Sequence, residues 1–287
     1  MRNVGIYYAF WTNQWDADFK PFIPKVKRLG FDQLELNGGT LVNMSSSERK
    51  ELKSMADAEG LALSYGIGLK KEYDPSSLDE TVRNRGVDFM KRMIDAVAEM
   101  GGGTIGGTVH SYWPASLPED QEDKQPIWDQ SIKSMKELAP YAGERGVTLA
   151  VEVINRFESF LMNEAREAVA YVNEVNHSSC GILLDTFHMN IEEESLGGAI
   201  RLAGKHLVSL HIGETNRNLP GTGRMPWGEI KQALDDIGYD GPIVMEPFIM
   251  KGGEVGRNIA VWRNLIENPD LDALAAKSAA WVKEHLR

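Results

Sequence analysis

Four polar side chains stand at the ends of successive apolar segments in the second half of the chain. They are Glu152 in VEVINRFE, Asp185 in LDTFHMN, His211 in HIGETNR and Glu246 in MEPF. The intervals between them are 33, 26 and 35 residues, each about one strand–helix unit. Three carboxylates and an imidazole in one pocket repel each other unless a cation binds between them. Oxygen-rich ligation with one nitrogen suits Mn²⁺, Mg²⁺ or Co²⁺, and no cysteine pair indicates a structural zinc site.

Each of these residues also has an ordinary structural interpretation. A lone acid at a strand end is usually a helix N-cap or a solvated charge, and a lone histidine is usually a satisfied rim residue. Polar residues at four successive apolar strand ends are hard to explain by packing, so together they predict a divalent metal site. Glu214, Glu158, His188 and Arg217 follow the same segments. For the last three, residue type alone fits a structural role as well as a functional one.

Eight short apolar segments must position these side chains, and most are rich in β-branched or aromatic residues. The predicted strands are 4–10, 32–36, 61–68, 104–110, 147–153, 181–187, 207–213 and 242–248. Amphipathic segments lie between them. The predicted helices are 45–58 with Ser45 and Glu48 at capping-box spacing, 79–100, one from about Asn163, about 271–286, and the later part of 16–29, to which Pro21 and Pro24 confine the helix.

Strands that alternate with helices pair in parallel through right-handed crossovers. Eight such units predict a single (β/α)₈ barrel domain over 1–287, with an open doubly wound sheet as the alternative. The glycine-rich stretch at 101–107 leads into a strand rather than out of one, so it is no nucleotide fingerprint. The polar stretch 115–126 is the one long loop, either a lid, an oligomer contact or a surface excursion.

The composition narrows the class of protein. Residues are 42% hydrophobic and 25% charged, as in globular proteins, and the net charge of −11 disfavours nucleic acid as a partner. No stretch approaches the ~20 apolar residues of a membrane span, and the N-terminus does not resemble a signal peptide. The single cysteine, Cys180, permits no internal disulfide. These features predict a cytoplasmic protein, although a disulfide-free secreted protein has the same composition.

Aromatic residues gather at the same predicted rim: Tyr7, Tyr8, Trp11, Trp15 and Trp113. Aromatic walls beside a few polar groups commonly bind sugars through the apolar CH faces of the ring, although at least half of these residues are expected to be ordinary core. Strand alternation lets Tyr7 or Tyr8 face the barrel interior, but not both.

The remaining histidines have separate interpretations. His110 ends the fourth predicted strand, and it either lines the pocket or helps to place Trp113. His206 precedes the seventh strand and therefore lies at the opposite end of the barrel. His177 and His285 are interpreted as surface residues.

The long motifs resemble those of a known family. VEVINRFE, LDTFHMNIEEE, HIGETNRNLPGTGRMPW and MEPF are similar to segments of the ketose 3-epimerases of the D-tagatose/D-psicose (allulose) type, as are GIYYAFW and TIGGTVHSYWP. The likeness runs nearly end to end, in the same order and spacing. More remotely, it extends to sugar isomerases and the apurinic endonuclease IV barrel.

This resemblance implies a reaction and a set of roles. Glu152, Asp185, His211 and Glu246 would bind one divalent ion, Mn²⁺ or Co²⁺ or else Mg²⁺, with no organic cofactor. Glu152 and Glu246 would exchange the C3 proton of a free ketohexose on opposite faces, while the ion polarises the C2 carbonyl. The implied substrate contacts are Glu158, His188 and Arg217 at C1–C3, Tyr7 and Trp113 at C4–C6, and Gly107 and Thr108. The implied assembly is a homodimer or homotetramer.

Three stretches depart from the family pattern. They are ELNGG at 35–39, GLKKEYD at 68–74, and Thr108. The family more often has small apolar residues with a histidine nearby at the first, a proline after GIG at the second, and alanine at the third. These positions are expected to face the distal sugar carbons, so they bear on substrate preference and leave the metal site intact.

Four other functions share parts of this pattern. An aldose–ketose isomerase moves the proton between C1 and C2, and a polyol dehydratase expels water after the same abstraction. A metal nuclease needs a basic groove and more than the six histidines present. A sugar-binding protein needs no carboxylate on both faces of its ligand, so Glu152→Gln separates a binder, which keeps its affinity, from an epimerase, which loses turnover.

Overall fold

The computed structural model describes residues 1–287 and shows a closed barrel of eight parallel strands. Each strand pairs with its sequence neighbour, and the last pairs with the first through Val4 and Ile243. The (β/α)₈ prediction is therefore confirmed, and the open-sheet alternative is wrong. The strands are β1 Val4–Tyr7, β2 Gln33–Asn37, β3 Ala62–Leu69, β4 Gly103–Tyr112, β5 Val147–Glu152, β6 Cys180–Asp185, β7 Leu207–Ile212 and β8 Ile243–Met245.

Eleven α-helices connect and flank the strands, together with short 3-10 helices at Tyr8–Phe10, Lys71–Tyr73 and Gly204–His206. The α-helices are α1 Phe22–Arg28, α2 Gly38–Asn43, α3 Ser46–Glu59, α4 Glu80–Glu99, α5 Gln125–Gly143, α6 Ala165–Val175, α7 Thr186–Glu192, α8 Leu196–Ala203, α9 Trp227–Asp236, α10 Gly253–Asn258 and α11 Leu271–Leu286.

The helix starts follow local chemistry that the sequence displays. Ser45 and Glu48 form the predicted capping box at the start of α3, and the Asp79 side chain accepts a hydrogen bond from Thr81 N–H at the start of α4. Pro21 directly precedes α1, which lies in the later part of 16–29 as predicted. These capping groups satisfy N–H groups that have no partner within the helix.

Three predicted strands are too long at their C-terminal ends. The chain leaves the sheet after Tyr7, Asp185 and Met245, although apolar residues continue beyond each of them. After β6 the chain turns directly into α7, and Asp185 caps this helix by accepting from Phe187 N–H at 2.8 Å. The extra apolar residues therefore pack at the barrel rim rather than in the sheet.

One hydrophobic core of 71 buried residues fills the barrel and the layer between strands and helices. Cys180 belongs to this core as a free thiol, and burial raises its pKa to about 12. None of the helices combines the length and the apolar composition that a membrane span requires. This close packing holds the strand ends in fixed positions, and the polar side chains at those ends are therefore held in place as well.

Candidate active site

A cavity of about 480 Å³ opens at the C-terminal ends of the barrel strands. Such a position is where (β/α)₈ enzymes build their sites from strand ends and the following loops. Ten of the eleven residues to which the family resemblance gives a role line it: Tyr7, Gly107, Thr108, Trp113, Glu152, Glu158, His188, His211, Arg217 and Glu246. Asp185 is 1% exposed and lies below the lining residues, in contact with the same cluster.

The four residues at the ends of β5 to β8 come together at this cavity. Glu152, Asp185, His211 and Glu246 each offer a ligand atom, and these atoms all lie within 4.8 Å of one another. Nδ1 of His211 is buried, has no hydrogen-bond partner and lies 3.8 Å from Oε1 of Glu246. Three carboxylates around an unpartnered imidazole nitrogen fit a hard divalent cation, so this cluster can hold one metal ion.

The surrounding protein shifts the pKa values of these three carboxyl groups in different directions. Burial and the neighbouring charge of Glu246 raise the pKa of Glu152 well above its usual value. Burial likewise raises the pKa of Glu246 to about 7. Burial also acts against ionised Asp185, but His188 and Arg217 outweigh it and hold its pKa below the usual value. Two carboxyl groups that resist ionisation together are expected of a site built to neutralise them with a cation.

A carboxylate that the sequence analysis did not assign to the site stands behind His211. Oε1 of Glu35 lies 2.9 Å from Nε2 of His211, and neither atom hydrogen-bonds elsewhere in the protein. Oε2 of Glu35 accepts from Ser64 Oγ at 2.8 Å, and Ser64 accepts from Gln33 Nε2 at 2.7 Å. A carboxylate behind a histidine fixes the ring's orientation and tautomer. The sequence does contain a sign of this role, because Gln33 and Glu35 are two polar residues on the same face of a buried strand.

A second missed residue, Asn155, organises the opposite side of the cluster. Its amide nitrogen donates to Oε1 of Glu158 at 3.0 Å and to Nδ1 of His188 at 2.7 Å. The amide is oriented by its own oxygen, which accepts from Phe157 N–H. Burial lowers the pKa of His188 to about 4, so the ring is neutral, and its Nε2 carries the hydrogen.

Arg217 stands beside that hydrogen. Its Nη2 lies 3.0 Å from Nε2 of His188, and its guanidinium lies 4.4 Å from the ring centre of Phe187 and 5.2 Å from that of Phe248. Because both nitrogens are donors, neither accepts from the other. Two donors therefore remain available to a ligand oxygen in the cavity.

The aromatic residues divide between the cavity and the packing around it, and Tyr8 lies beyond the end of β1, at the start of the 3-10 helix Tyr8–Phe10. Tyr7, Trp15 and Trp113 line the cavity, and Trp113 Nε1 donates to Oε2 of Glu158 at 3.1 Å. Tyr8 points away and packs against Phe19, with ring centres 5.0 Å apart. Trp11 also lies outside the cavity, where its indole nitrogen donates to Asp272.

Other polar candidates have structural positions. Glu214 is buried and accepts from Gly221 N–H, Met225 N–H and the indole of Trp227, so it holds the loop after β7. His110 does not line the cavity. Its ring lies edge-on to Tyr171 in the helix layer, and burial lowers its pKa to about 3.

The chain matches known proteins over nearly its whole length. Residues 23–285 match the family described as the xylose isomerase-like TIM barrel. The chain is 45% identical to the D-psicose 3-epimerase of Ruminiclostridium cellulolyticum, over 96% of this chain and 94% of that one. It is 43% identical to the D-psicose 3-epimerase of Agrobacterium fabrum, over 93% of this chain and 92% of the relative.

Solved structures agree with the sequence comparison. The D-psicose 3-epimerase of Clostridium cellulolyticum H10, crystallised with D-tagatose, superposes with a TM-score of 0.97 at 43% identity, covering 99% of each chain. Similarity of this extent covers the barrel, the strand ends and the rim loops together. The chain therefore belongs to the ketose 3-epimerases within the xylose isomerase-like TIM-barrel family, and it is an enzyme of the isomerase class.

Proposed function

We propose that this protein epimerises free ketohexoses at C3, interconverting D-fructose with D-allulose and D-tagatose with D-sorbose. The observation that carries the proposal is the cluster itself, in which four ligand atoms lie within 4.8 Å of one another at the base of the cavity. Names of the relatives supply the reaction class, since those relatives are D-psicose 3-epimerases.

The four ligands of one divalent ion, Mn²⁺ or Co²⁺ or else Mg²⁺, are Glu152, Asp185, His211 and Glu246 in this proposal. An ion held by these four residues would supply Lewis-acid chemistry toward the C2 carbonyl of the ketose and toward negative charge on its oxygen. His211 presents Nδ1 to the cluster while Glu35 faces Nε2.

Glu152 and Glu246 carry the proton transfer. They come from β5 and β8, which are not neighbours in the barrel, so their carboxyl groups approach the ligand from different sides. One takes the proton from C3 and the other returns a proton to the opposite face, which inverts that carbon. The reverse reaction exchanges the two roles.

Three further residues hold the C1–C3 end of the sugar. His188 Nε2–H and the guanidinium of Arg217 donate to the oxygen that becomes negative as the enediolate forms. The Glu158 carboxylate, held by Asn155 and Trp113, accepts from a sugar hydroxyl. This set holds donors and acceptors in fixed positions before the substrate binds.

The C4–C6 end lies among Tyr7, Trp113, Gly107 and Thr108. Gly107 has φ 111°, and a Cβ there would lie 2.1 Å from the Ile67 carbonyl oxygen, so only glycine fits this point of β4. Tyr7 and Trp113 offer flat apolar surface to the carbons of the chain.

The proposal includes a homodimeric or homotetrameric assembly and a cytoplasmic location. An interface between copies would cover exposed apolar side chains such as Phe157, which is 79% exposed, and Trp262, which is 72% exposed. Analytical ultracentrifugation of the purified chain measures the assembly directly.

The decisive experiment incubates metal-stripped protein with D-fructose and D-tagatose in deuterated water, with and without added Mn²⁺ or Co²⁺. We expect metal-dependent formation of allulose and sorbose, each with deuterium at C3 by NMR. Aldose products or deuterium at C1 would instead identify an aldose–ketose isomerase, and loss of water would identify a dehydratase. Binding without turnover of any sugar would identify a sugar-binding protein.

A further inference from the structure

The cavity continues beyond the residues that the C3 reaction needs. Past Trp113 it is lined by six residues from three packed segments: Asn43 of α2, Lys70, Glu72 and Tyr73 of the loop after β3, and Phe89 and Arg92 of α4. We call these six residues the distal wall. A volume of about 480 Å³ falls within the range of roughly 300–1,000 Å³ that holds drug-sized ligands, and a free hexose is smaller than those.

Two glycines, Gly39 and Gly68, line the cavity between the reaction end and the distal wall. A Cβ on Gly68 would lie 3.1 Å from Cε3 of Trp113. A Cβ on Gly39 would lie 3.1 Å from Cδ1 of Ile67 and 4.0 Å from Cζ of Phe89. Each glycine therefore lets a neighbouring side chain pack close to its backbone, Trp113 at Gly68 and Ile67 at Gly39. Trp113 and Phe89 line the same cavity, so the reaction end and the distal wall belong to one continuous groove.

The distal wall combines an aromatic surface with mixed charge. Tyr73 and Phe89 are stacked, with ring centres 4.5 Å apart and an interplanar angle of 21°, and Arg92 lies 5.5 Å from the Phe89 ring. Asn43, Lys70, Glu72 and Arg92 are exposed, and none of their side chains forms a hydrogen bond or ion pair within the protein.

The charges at this end favour a neutral ligand over an anion. Two cations, Lys70 and Arg92, stand with the acid Glu72, and Asp16 and Glu254 line the same cavity. A phosphate needs a surplus of positive charge, but the lining of the cavity as a whole holds more acidic than basic side chains. Sugar hydroxyl groups donate and accept at once, so they match a wall that offers both acids and bases.

Two of the sequence departures from the family pattern meet here. The Thr108 hydroxyl accepts from Leu69 N–H at 3.1 Å, so it fixes the path of the 68–74 segment as that segment leaves β3. The register between β3 and β4 is irregular at the same point. Gly39, which belongs to the remaining departure at 35–39, lines the same cavity. The departures are therefore parts of one structural feature.

We propose that the distal wall is a second sugar subsite, and that the enzyme epimerises ketoses carrying a glycosyl group on the C4–C6 end. This inference rests on the proposed C3 reaction and extends its substrate class. The ketose unit occupies the reaction end, and the attached pyranose packs its apolar CH face against the stacked Tyr73–Phe89 pair. The C3 proton is removed and another is returned to the opposite face, so the glycosidic bond and the oxidation state are unchanged.

The test compares fructose with 4-O- and 6-O-glucosyl-fructose on the metal-loaded enzyme. A few hydrogen bonds and one stacking contact lower KM for a glucosylated ketose by about threefold to tenfold relative to fructose. The 3-O-glucosyl isomer, whose reacting carbon bears the glycosyl group, is the negative control. Fructose 6-phosphate is included as the anionic competitor, and a preference for it would overturn the inference.

Variants locate the effect. Asn43→Ala with Arg92→Ala raises KM for the glucosylated ketose by at least about threefold and leaves kinetics on fructose unchanged. Arg85→Ala, an exposed arginine of the same helix that does not line the cavity, changes neither. Equal effects on both substrates, or no conversion of glucosylated ketose by an enzyme that converts fructose, would refute the subsite.

A separate measurement tests the subsite if the proposed C3 reaction itself is not observed. If fructose and tagatose are both unconverted, binding of 4-O- and 6-O-glucosyl-fructose is measured by calorimetry with the wild-type protein and the double variant. Weaker binding by the variant alone supports the subsite, and equal binding refutes it.

Discussion

The two halves of the barrel rim are built differently. The β5–β8 half carries Glu152, Asp185, His211 and Glu246, and three of these four are less than 10% exposed. Around the β2–β4 half, the cavity is lined by glycines, exposed polar groups and two stacked aromatic rings. Charged groups of the β5–β8 half are tightly constrained by their neighbours, while Lys70, Glu72 and Arg92 of the distal wall are exposed and form no hydrogen bond or ion pair within the protein.

This difference indicates which positions of the rim tolerate substitution and which do not. Buried carboxylates require a compensating cation and positioned donors, so few residue types are tolerated in the β5–β8 half. A solvated groove tolerates many side chains as long as its floor stays open. We therefore expect large losses from changes in the first half and selective losses from changes in the second.

The largest effect is expected from the proposed proton-transfer pair. Glu152→Gln and Glu246→Gln keep the side-chain shape but remove the base, and each lowers kcat for fructose by about 10³-fold or more. Loss of C3 deuterium exchange in the same variants shows that proton transfer itself is affected. An exchange rate equal to wild type would contradict the assignment.

Glu214→Gln is the matched control for this pair. Glu214 is also buried after β7, but it only holds the 221–227 loop. Its replacement costs about 1–3 kcal/mol of unfolding free energy through weakened buried hydrogen bonds, while kcat of the folded enzyme is kept.

A smaller but still large effect is expected at Glu35, which spans the two halves. Glu35→Gln removes the negative charge that faces Nε2 of His211, so the ring is held less firmly, and Kd for Mn²⁺ rises by about 10–100-fold. Calorimetric titration and the Mn²⁺ electron paramagnetic resonance spectrum measure this without reference to turnover. Ser64→Ala, one link further away, produces a smaller change in the same direction. Unchanged Mn²⁺ affinity in Glu35→Gln would show that Glu35 is only structural.

Strand ends were the most informative part of the sequence. A polar residue that interrupts an apolar run at a one-unit spacing identifies Glu152, Asp185, His211 and Glu246 before any coordinates exist. Asp185 also shows that structural and functional interpretations are not exclusive, because it caps α7 and belongs to the cluster. Their function as ligands stays a prediction.

The missed residues have a common physical reason. Glu35 stands on β2 and reaches His211 on β7 across the barrel, a contact between strands that are not neighbours. Asn155 acts through the fold of a rim loop, in which one amide contacts both Glu158 and His188. Hydrophobic periodicity reports which face a residue occupies, but it carries no information on what lies opposite. For the same reason the strands predicted at 4–10 and 242–248 extend beyond Tyr7 and Met245, where β1 and β8 end.

A change at Asn155 tests whether the β5–β8 half depends on residues that position the substrate contacts without touching the substrate. Asn155→Ala releases both Glu158 and His188, so kcat/KM for fructose falls by about tenfold, equivalent to ~1.4 kcal/mol. Asn163→Ala is the control, since this amide donates only to the carbonyl groups of Ile154 and Ser159 in the same loop. Steady-state kinetics of the two variants are compared with their thermal stabilities. Equal kinetic losses in both would mean that loop stability, and not positioning, is responsible.

The smallest effect is expected at Thr108, where the two halves meet. Thr108→Val keeps the volume but leaves the Leu69 N–H without its 3.1 Å partner, which costs about 1–2 kcal/mol of unfolding free energy. Because this contact sets the path of the 68–74 segment, kcat/KM for 6-O-glucosyl-fructose relative to fructose falls by about twofold to threefold. Thr104→Val on the same strand is the control, since its hydroxyl forms no hydrogen bond within the protein and its loss leaves the ratio unchanged. If Thr108→Val lowers the free energy of unfolding but leaves this ratio unchanged, the path of the 68–74 segment does not determine substrate preference. The β2–β4 half would then tolerate changes in this segment.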